Sequence, residues 1–282
     1  SLCRFWRMRE SIGEQKKDRR HSTDSLRVCR RQMEEVAVGM QSYVSIDLET
    51  TGLNPRTDKI IEIGAVRIEQ GEVKETFSSF VHSGRRLEER IVELTGIRDE
   101  ELADAPVIDE VFPELQKFLG ELPLLGHSIL FDYSFLKKAA VNLGQKFEKQ
   151  AVDTLKLARK YLPDLESRRL DFLCEYYQIP HHAHRALADA EATDRLYRCL
   201  REHFYVPEEG LFQPTPLIYN VKKDQPALKS QKERLYRLRE QHKLIMDVEI
   251  ERLTRSEASR LTDKILMQIK SVRNNSSGDA LQ

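Results

Sequence analysis

The chain has 282 residues, in which 46 Lys and Arg are balanced by 46 Asp and Glu, and 40% of the residues are apolar. This length suits one large domain with smaller appendages. No apolar run approaches the ~20 residues that a membrane span requires, and no signal-peptide pattern opens the chain. We therefore predict a cytoplasmic protein that makes no membrane contact.

The balanced total hides a segregation of charge along the chain. Residues 1–40 hold ten Lys and Arg against six Asp and Glu, and residues 205–282 hold fourteen against eleven. The middle, 41–204, is therefore acidic and its flanks are basic. A nucleic-acid-binding protein usually shows a basic footprint. An acidic core disfavours a pure phosphate-binding module, although it is acceptable where some carboxylates hold cations.

Residues 1–40 show no sustained helical or strand period, and charges of both signs are interspersed in them. Such a segment cannot bury enough apolar surface to offset the entropy of ordering. We predict a disordered basic extension that precedes the folded domain. The alternative is a basic arm that binds nucleic acid.

The first predicted strand lies in residues 43–53, YVSIDLETTGL. Its β-branched and aromatic residues fit a buried pleated surface. Asp47 and Glu49 are two positions apart, so their side chains point to the same face of the strand. Carboxylates held this close repel each other, and a hard divalent cation such as Mg²⁺ removes the repulsion. The alternative is an Asp at a strand end beside an exposed Glu.

Alternating strands and helices follow this stretch. A hairpin is predicted about the Gln70–Gly71 turn. The further predicted strands cover 59–68, 72–81, 122–125 and 151–153. The predicted helices cover 88–94, 107–119, a segment from Asp132 to 143, 154–161, 170–177, and a long segment that ends near residue 204.

Two more carboxylates and a histidine occupy notable positions in the predicted elements. Asp132 begins a helix after Gly126-His127, where the helix dipole alone would favour an anion. Asp189 lies on the apolar face of the last long helix, so its charge needs a partner. His184 lies in the loop before that helix. The neighbouring His181 and His182 suggest a zinc site as an alternative, but zinc favours nitrogen and sulfur ligands.

The motifs Asp47-x-Glu49, Gly126-His127 through Asp132, and His184-x4-Asp189 together resemble those of the DEDDh exonucleases. This family includes the proofreading subunit of bacterial DNA polymerase III and the exonuclease domain of PolC polymerases. The similarity covers about 41–203 and implies an α/β, ribonuclease H-like fold. We expect a five-stranded mixed sheet flanked by helices, with its first three strands antiparallel. The family often has Asn after Gly-His, whereas this chain has Ser128, which puts one local contact in doubt.

The resemblance implies a 3′–5′ exonuclease that hydrolyses terminal phosphodiester bonds of DNA at single-stranded or frayed 3′ ends. The products would be nucleoside 5′-monophosphates, and the setting would be proofreading or repair. Two Mg²⁺ or Mn²⁺ ions would be held by Asp47, Glu49, Asp132 and Asp189. His184 would be the general base. The implied substrate-binding residues are Thr50, Thr51, Leu53 and His127; an ordinary turn and a core Leu are the alternative for the first three.

The same motifs are compatible with two other functions. The first is a 3′–5′ exoribonuclease, because the motifs act on the phosphate that DNA and RNA share. The second is a non-catalytic module that binds nucleic acid or a partner on the same fold. The implied partners are single-stranded DNA or 3′ ends of nucleic acid, and a DNA polymerase or other replication or repair protein.

The C-terminal part of the chain is predicted to be an appendage to the domain at 41–204. Four prolines between 207 and 226 mark a linker over 205–227. A helical appendage follows over 228–282, with a charged helix at 229–243 and a disordered tail from residue 274. Thr254-x-x-Glu257 matches a capping box that starts a second helix. This appendage would pack on the domain or on another copy of the chain; contact with DNA or a partner is the alternative.

Overall fold

A computed structural model describes residues 40–181, 183–246 and 248–278. The predicted extension therefore lies outside the described residues, apart from Met40. Within the described part of the chain, no helix has both the length and the apolar character needed to cross a membrane.

The described residues form a six-stranded sheet in the order β3-β2-β1-β4-β5-β6. The strands are β1 Tyr43–Thr50, β2 Ile60–Glu69, β3 Glu72–Phe80, β4 Leu124–Gly126, β5 Gln150–Asp153 and β6 Thr215–Pro216. The first three are antiparallel, and β4 and β5 continue the sheet parallel to β1. The predicted ribonuclease H-like fold is confirmed, with one correction to the number of strands. The sixth strand comes from the segment predicted as a linker, and it pairs antiparallel with the edge of β5, a position that tolerates proline.

Helices flank both faces of the sheet and extend beyond it. They are α1 Glu89–Thr95, α2 Asp99–Ala103, α3 Ile108–Leu119, α4 Leu130–Leu143, α5 Thr154–Tyr161, α6 Leu170–Tyr177, α7 Ala186–Phe204, α8 Lys229–His242 and α9 Arg255–Gly278. Helix α9 continues past residue 274, where we predicted a disordered tail, and residues 279–282 lie outside the described residues.

Strand β1 is central and is covered on both faces. Its even positions, such as Val44 and Ile46, are fully buried in the core that α3 and α4 share. Its odd positions belong to the opposite face, where Tyr43 packs in a second core with Leu196 and Leu200 of α7. Because side chains alternate along a strand, this second face also carries the positions of the two acidic residues at the strand's end.

Helices α8 and α9 share a small core of their own, centred on Leu235 and Ala258. The ion pair between Lys59 Nζ, just before β2, and Glu257 Oε1, in the first turn of α9, has a length of 2.7 Å. A second anchor joins Lys138 Nζ of α4 to Asp224 Oδ1 at 2.6 Å. The first pair attaches the predicted helical appendage to the residues before β2, and the second attaches the segment predicted as a linker to α4.

Candidate active site

Two hydrogen bonds align α7 with β1. The Tyr43 hydroxyl donates to Asp194 Oδ1 at 2.6 Å, and the Ser45 hydroxyl donates to the carbonyl oxygen of Ala190 at 2.7 Å. Both donors lie on the odd-numbered face of β1. From Tyr43 to Ser45, the contacted residue of α7 changes from 194 to 190, so each step along β1 brings the strand closer to the N-terminus of α7. The next odd positions of the strand therefore lie against the first turn of this helix.

Those next positions are Asp47 and Glu49, and the carboxylate in the first turn of α7 is Asp189. One oxygen of each of the three residues lies within 4.8 Å of the others. Glu49 and Asp189 are nearly inaccessible to solvent, with 9% and 7% exposure. The strand period and the position of Asp189 on the helix thus bring three of the predicted metal ligands together.

The electrostatics of this cluster favour a bound cation. Burial, followed by the charges of Asp132 and Asp189, raises the pKa of Asp47 well above its ordinary value. Burial and the charge of Asp189 raise the pKa of Glu49 to about 8. Among the described residues, the side chains of Asp47 and Glu49 have no hydrogen-bond or ion-pair partner. Converging carboxylate oxygens fit a hard divalent cation, which would stabilise their charged form.

The fourth predicted ligand, Asp132, lies beside this cluster in the first turn of α4. Its Oδ1 accepts a hydrogen bond from the backbone N–H of Leu48 at 3.1 Å. Burial raises its pKa, against the effect of backbone hydrogen bonds, one of them from Leu48. Asp132 therefore adjoins Asp47 across the strand end, with one oxygen already engaged by the backbone.

The structure brings a histidine other than the predicted one onto Asp189. His181 Nε2 lies 2.5 Å from Asp189 Oδ1, and the backbone N–H of Arg185 donates to Oδ2 at 3.1 Å. His184 lines the same cleft, at a backbone φ of 66°. The exonuclease motifs assign no role to His181, so its contact with Asp189 was not predicted. The left-handed conformation of His184 lies between the two contacts of Asp189, and residue spacing does not predict it.

The predicted nucleotide-binding turn has one freely exposed side chain. Leu53 is 84% exposed. The Thr50 hydroxyl donates to the carbonyl oxygen of Gly52 at 2.7 Å. Thr51 Oγ1 accepts from the backbone N–H of Lys59 at 2.9 Å. The two hydroxyl groups stabilise the turn, and the leucine is presented to solvent at its tip.

His127, the other predicted substrate-binding residue, is held by the protein through both ring nitrogens. Nδ1 lies 2.9 Å from Thr154 Oγ1, and Nε2 lies 2.8 Å from the carbonyl oxygen of Arg168. Burial lowers the pKa of this histidine, against an opposing hydrogen bond to the backbone of Arg168. The arrangement gives His127 a role in holding the segment before α6.

Ser128 follows His127 in a left-handed conformation, with φ of 74°. Asparagine adopts this region more readily than most residues. The backbone N–H of Ser128 donates to Asp153 Oδ1 at 3.0 Å. This contact does not depend on the side chain, so it is compatible with serine at this position.

A cleft of about 750 Å³ opens above the carboxylates. Three of the metal-ligand candidates, Asp47, Glu49 and Asp189, line it together with His184. Arg159, at the end of α5, together with Arg168 and Arg169 before α6, lines another part. Sequence reasoning missed these arginines, although the Arg168-Arg169 pair was a visible signal. Carboxylates and guanidinium groups in one cleft suit a phosphodiester, since the arginines can contact phosphate oxygens.

The sheet with a carboxylate cluster at the end of its central strand is that of a protein with a ribonuclease H-like fold. A solved complex of E. coli ExoI with single-stranded DNA has the same fold, with a TM-score of 0.55 and 20% identity; the match covers 61% of this chain and 43% of that one. Residues 44–197 match the RNase T family model, described as exonuclease. The chain belongs to this exonuclease family.

Two relatives illustrate the match. The PolC-type DNA polymerase III of Caldanaerobacter subterraneus is 41% identical over 157 residues, which are 55% of this chain and 11% of that protein. The DNA polymerase III subunit epsilon of Aquifex aeolicus is 37% identical over 166 residues, 58% of this chain and 82% of that subunit. The chain thus spans about 11% of the length of the PolC-type relatives it matches.

Proposed function

We propose that this protein is a metal-dependent 3′–5′ exonuclease acting on single-stranded or frayed 3′ ends of DNA. The observation that carries the proposal is the group formed by Asp47, Glu49 and Asp189, whose oxygens converge within 4.8 Å in a cleft that also contains arginines. The names of the polymerase III relatives support DNA as the substrate. We assign this activity to a domain at 41–204.

The cluster and Asp132 would hold two Mg²⁺ or Mn²⁺ ions, which would stabilise negative charge on the attacking and leaving oxygens. The residues themselves would bind and orient the substrate. The arginines of the cleft would contact the phosphate backbone, and Leu53 would pack against the terminal nucleotide. Neither contact depends on the identity of the base, which suits an enzyme that removes any nucleotide.

His184 would accept the proton of the attacking water on a ring nitrogen. The water oxygen would form a bond to phosphorus, and the bond from phosphorus to the 3′ oxygen of the preceding nucleotide would break. That oxygen takes a proton and becomes the new 3′ hydroxyl of the shortened strand. The phosphate remains on the released nucleotide, so the product is a nucleoside 5′-monophosphate.

We further propose that the protein acts beside a DNA polymerase or another replication or repair protein. The support is the similarity of its domain to a polymerase III subunit and to a segment of PolC-type polymerases. The 3′ end that this site would shorten is also the end that a polymerase extends.

A 5′-labelled single-stranded DNA, its duplex, and an RNA of the same sequence would test the proposal in Mg²⁺ and in EDTA. We expect labelled products that shorten progressively from the 3′ end of single-stranded DNA in Mg²⁺ only. Asp47→Asn is the matched variant and should leave the substrate intact. Faster degradation of RNA would assign an exoribonuclease, and binding without cleavage would assign a non-catalytic module. Cleavage that persists in EDTA would contradict the proposal.

A further inference from the structure

Glu62 is a buried carboxylate of β2 that does not belong to the group of converging metal-ligand candidates. It is 2% exposed. Its oxygens accept hydrogen bonds from Arg185 Nε, at 3.2 and 3.3 Å, and from Arg185 Nη2, at 3.0 Å. Oε2 also accepts from the backbone N–H of Ala186 at 3.1 Å. One carboxylate therefore binds both the Arg185 side chain and the first backbone N–H of α7.

Arg185 has two further contacts. Its guanidinium carbon lies 5.4 Å from the centre of the Phe80 ring in β3, a distance at which a cation is attracted to the ring face. Its backbone N–H donates to Asp189. Residue 185 is thus attached to β2, β3 and α7, although its side chain is about half exposed.

The first residues of α7 also pack in close contact with the backbone of β2. A Cβ atom built on Gly64 would lie 2.0 Å from the backbone nitrogen of Leu187 and 2.1 Å from the carbonyl carbon of Ala186. Glu62 and Gly64 are two positions apart, so they present the same face of the strand to the helix. The close approach and the carboxylate together fix the backbone where α7 begins.

The residue immediately before this fixed point is His184, whose φ of 66° is unusual for a residue other than glycine. Such a conformation persists where surrounding contacts hold the backbone in place. On the C-terminal side of His184, those contacts are the hydrogen bonds made by Arg185 and Ala186.

We propose that Glu62 and Arg185 form a positioning pair that fixes the backbone from which His184 reaches the cleft. The inference rests on the proposed function, in which His184 accepts a proton from water. Glu62 is not assigned a metal ion, because its two oxygens already receive hydrogen bonds from a guanidinium group and a backbone N–H. The pair would act on the turnover step, and it would leave binding of the DNA unchanged.

A double-mutant cycle tests the pair. Arg185→Met and Glu62→Gln would each be made in the wild type and in His184→Ala, with kcat and KM measured on single-stranded DNA in saturating Mg²⁺. In the wild-type background we expect kcat to fall by roughly tenfold or more, with KM changed less than about twofold. In the His184→Ala background the same changes should cost less than about twofold, since the group they position is absent.

Controls separate positioning from general damage. Arg185→Lys keeps the charge and should recover part of the lost kcat. Arg90→Met removes an arginine from an exposed ion pair with Glu88 and should leave kcat unchanged. If Glu62→Gln lowers the melting temperature strongly, the test rests on the cycle with Arg185→Met. The Arg185 side chain is half exposed, so its replacement should disturb the fold less.

An equal loss of kcat in both backgrounds would overturn the inference. Recovery of the loss by higher Mg²⁺ would also overturn it, because the pair would then act on metal binding. A wild-type protein without Mg²⁺-dependent cleavage would instead overturn the proposed function, and with it the inference.

Discussion

At the scale of single residues, the site is defined by buried carboxylates that lie close enough to raise one another's pKa values. Burial, and then the charges of Asp132, Asp189 and Glu49, raise the pKa of Asp47. In the metal-free protein these groups therefore retain protons at pH values where exposed carboxyls are ionised. A bound cation would lower these pKa values, because it favours the ionised form of the carboxyl groups.

Glu49 makes this effect measurable through the pH dependence of stability. Its ordinary pKa of 4.5 rises to about 8 in the folded protein. Between these values the unfolded chain releases a proton that the folded chain keeps. The free energy of unfolding of the metal-free protein should therefore fall as pH rises from about 5 to about 8. Melting temperatures measured in EDTA across this range would show the fall, and Mg²⁺ should reduce it.

Glu49→Gln is the matched variant, because it keeps the shape of the side chain and removes its titration. Its melting temperature should depend less on pH in EDTA than that of the wild type. Equal pH dependence of the two proteins would show that the pKa of Glu49 is not raised as described.

His184→Ala should lower kcat by roughly 10²–10⁴-fold, the usual contribution of a general base, with little change in KM or in metal affinity. Steady-state kinetics and Mn²⁺ binding would measure these. His182→Ala is the control, since the motif of His184 and Asp189 does not include His182. His181→Ala is not a neutral control, because His181 contacts Asp189. A loss in His182→Ala equal to that in His184→Ala would mean that the base is assigned to the wrong residue.

The residues of the site differed in how far the sequence could predict them. Asp47 and Glu49 could be placed together because strand periodicity fixes which side chains share a face. Asp189 followed from its position on the apolar side of a long helix. The contact of His181 could not be predicted, because His181 lies in a loop and hydrophobic periodicity does not encode loop direction.

At the scale of elements, the site depends on how closely α7 packs against β2. Gly64 lies opposite Asp47 in the register of β1 and β2 and has no room for a side chain. Gly64→Ala should push α7 away from the sheet, displace Asp189 and reduce activity. Overpacking of this kind typically costs ~1–3 kcal/mol of stability.

Thermal unfolding and the exonuclease rate would measure both consequences of Gly64→Ala. Ser78→Ala is the control, since Ser78 pairs with Gly64 on β3 and its side chain is exposed. We expect no loss in Ser78→Ala. A Gly64→Ala protein with wild-type melting temperature and rate would contradict the close packing of α7 on β2.

Most elements were predictable because their apolar periodicity is strong, as in the long helix that ends at Phe204. The capping box was also predictable, and Thr254 and Glu257 form it through reciprocal hydrogen bonds. Strand β6 was missed because it has two residues, one of them proline. Its pairing depends on where β5 lies in space, which no local pattern specifies.

At the scale of the whole molecule, the acidic middle of the chain carries the candidate site, and the first described residue is held by contacts to α7. Met40 is 7% exposed. Its carbonyl oxygen accepts hydrogen bonds from the Tyr197 hydroxyl at 3.4 Å and from Arg201 Nη1 at 3.3 Å. The chain is therefore fixed to α7 from this residue onward.

Deletion of residues 1–39 should leave the melting temperature and the rate on a short oligonucleotide nearly unchanged, because the contacts of Met40 remain. Thermal unfolding and kinetics at two salt concentrations would check this. Weaker DNA binding by the shortened protein, together with a smaller salt dependence, would support the alternative of a basic arm. Loss of folding would show that the deleted residues pack on the domain.

We expect a cation held by the carboxylates at the end of β1 to be required for cleavage from the 3′ end. Mn²⁺ titration of the metal-free protein would test this, with bound ion measured by electron paramagnetic resonance and cleavage measured in the same samples. We expect the rate to rise with Mn²⁺ occupancy in the wild type, and Asp47→Asn to lose both binding and cleavage while its melting temperature in EDTA is unchanged or higher. Cleavage by metal-free protein, or an Asp47→Asn variant with wild-type binding and rate, would contradict this expectation.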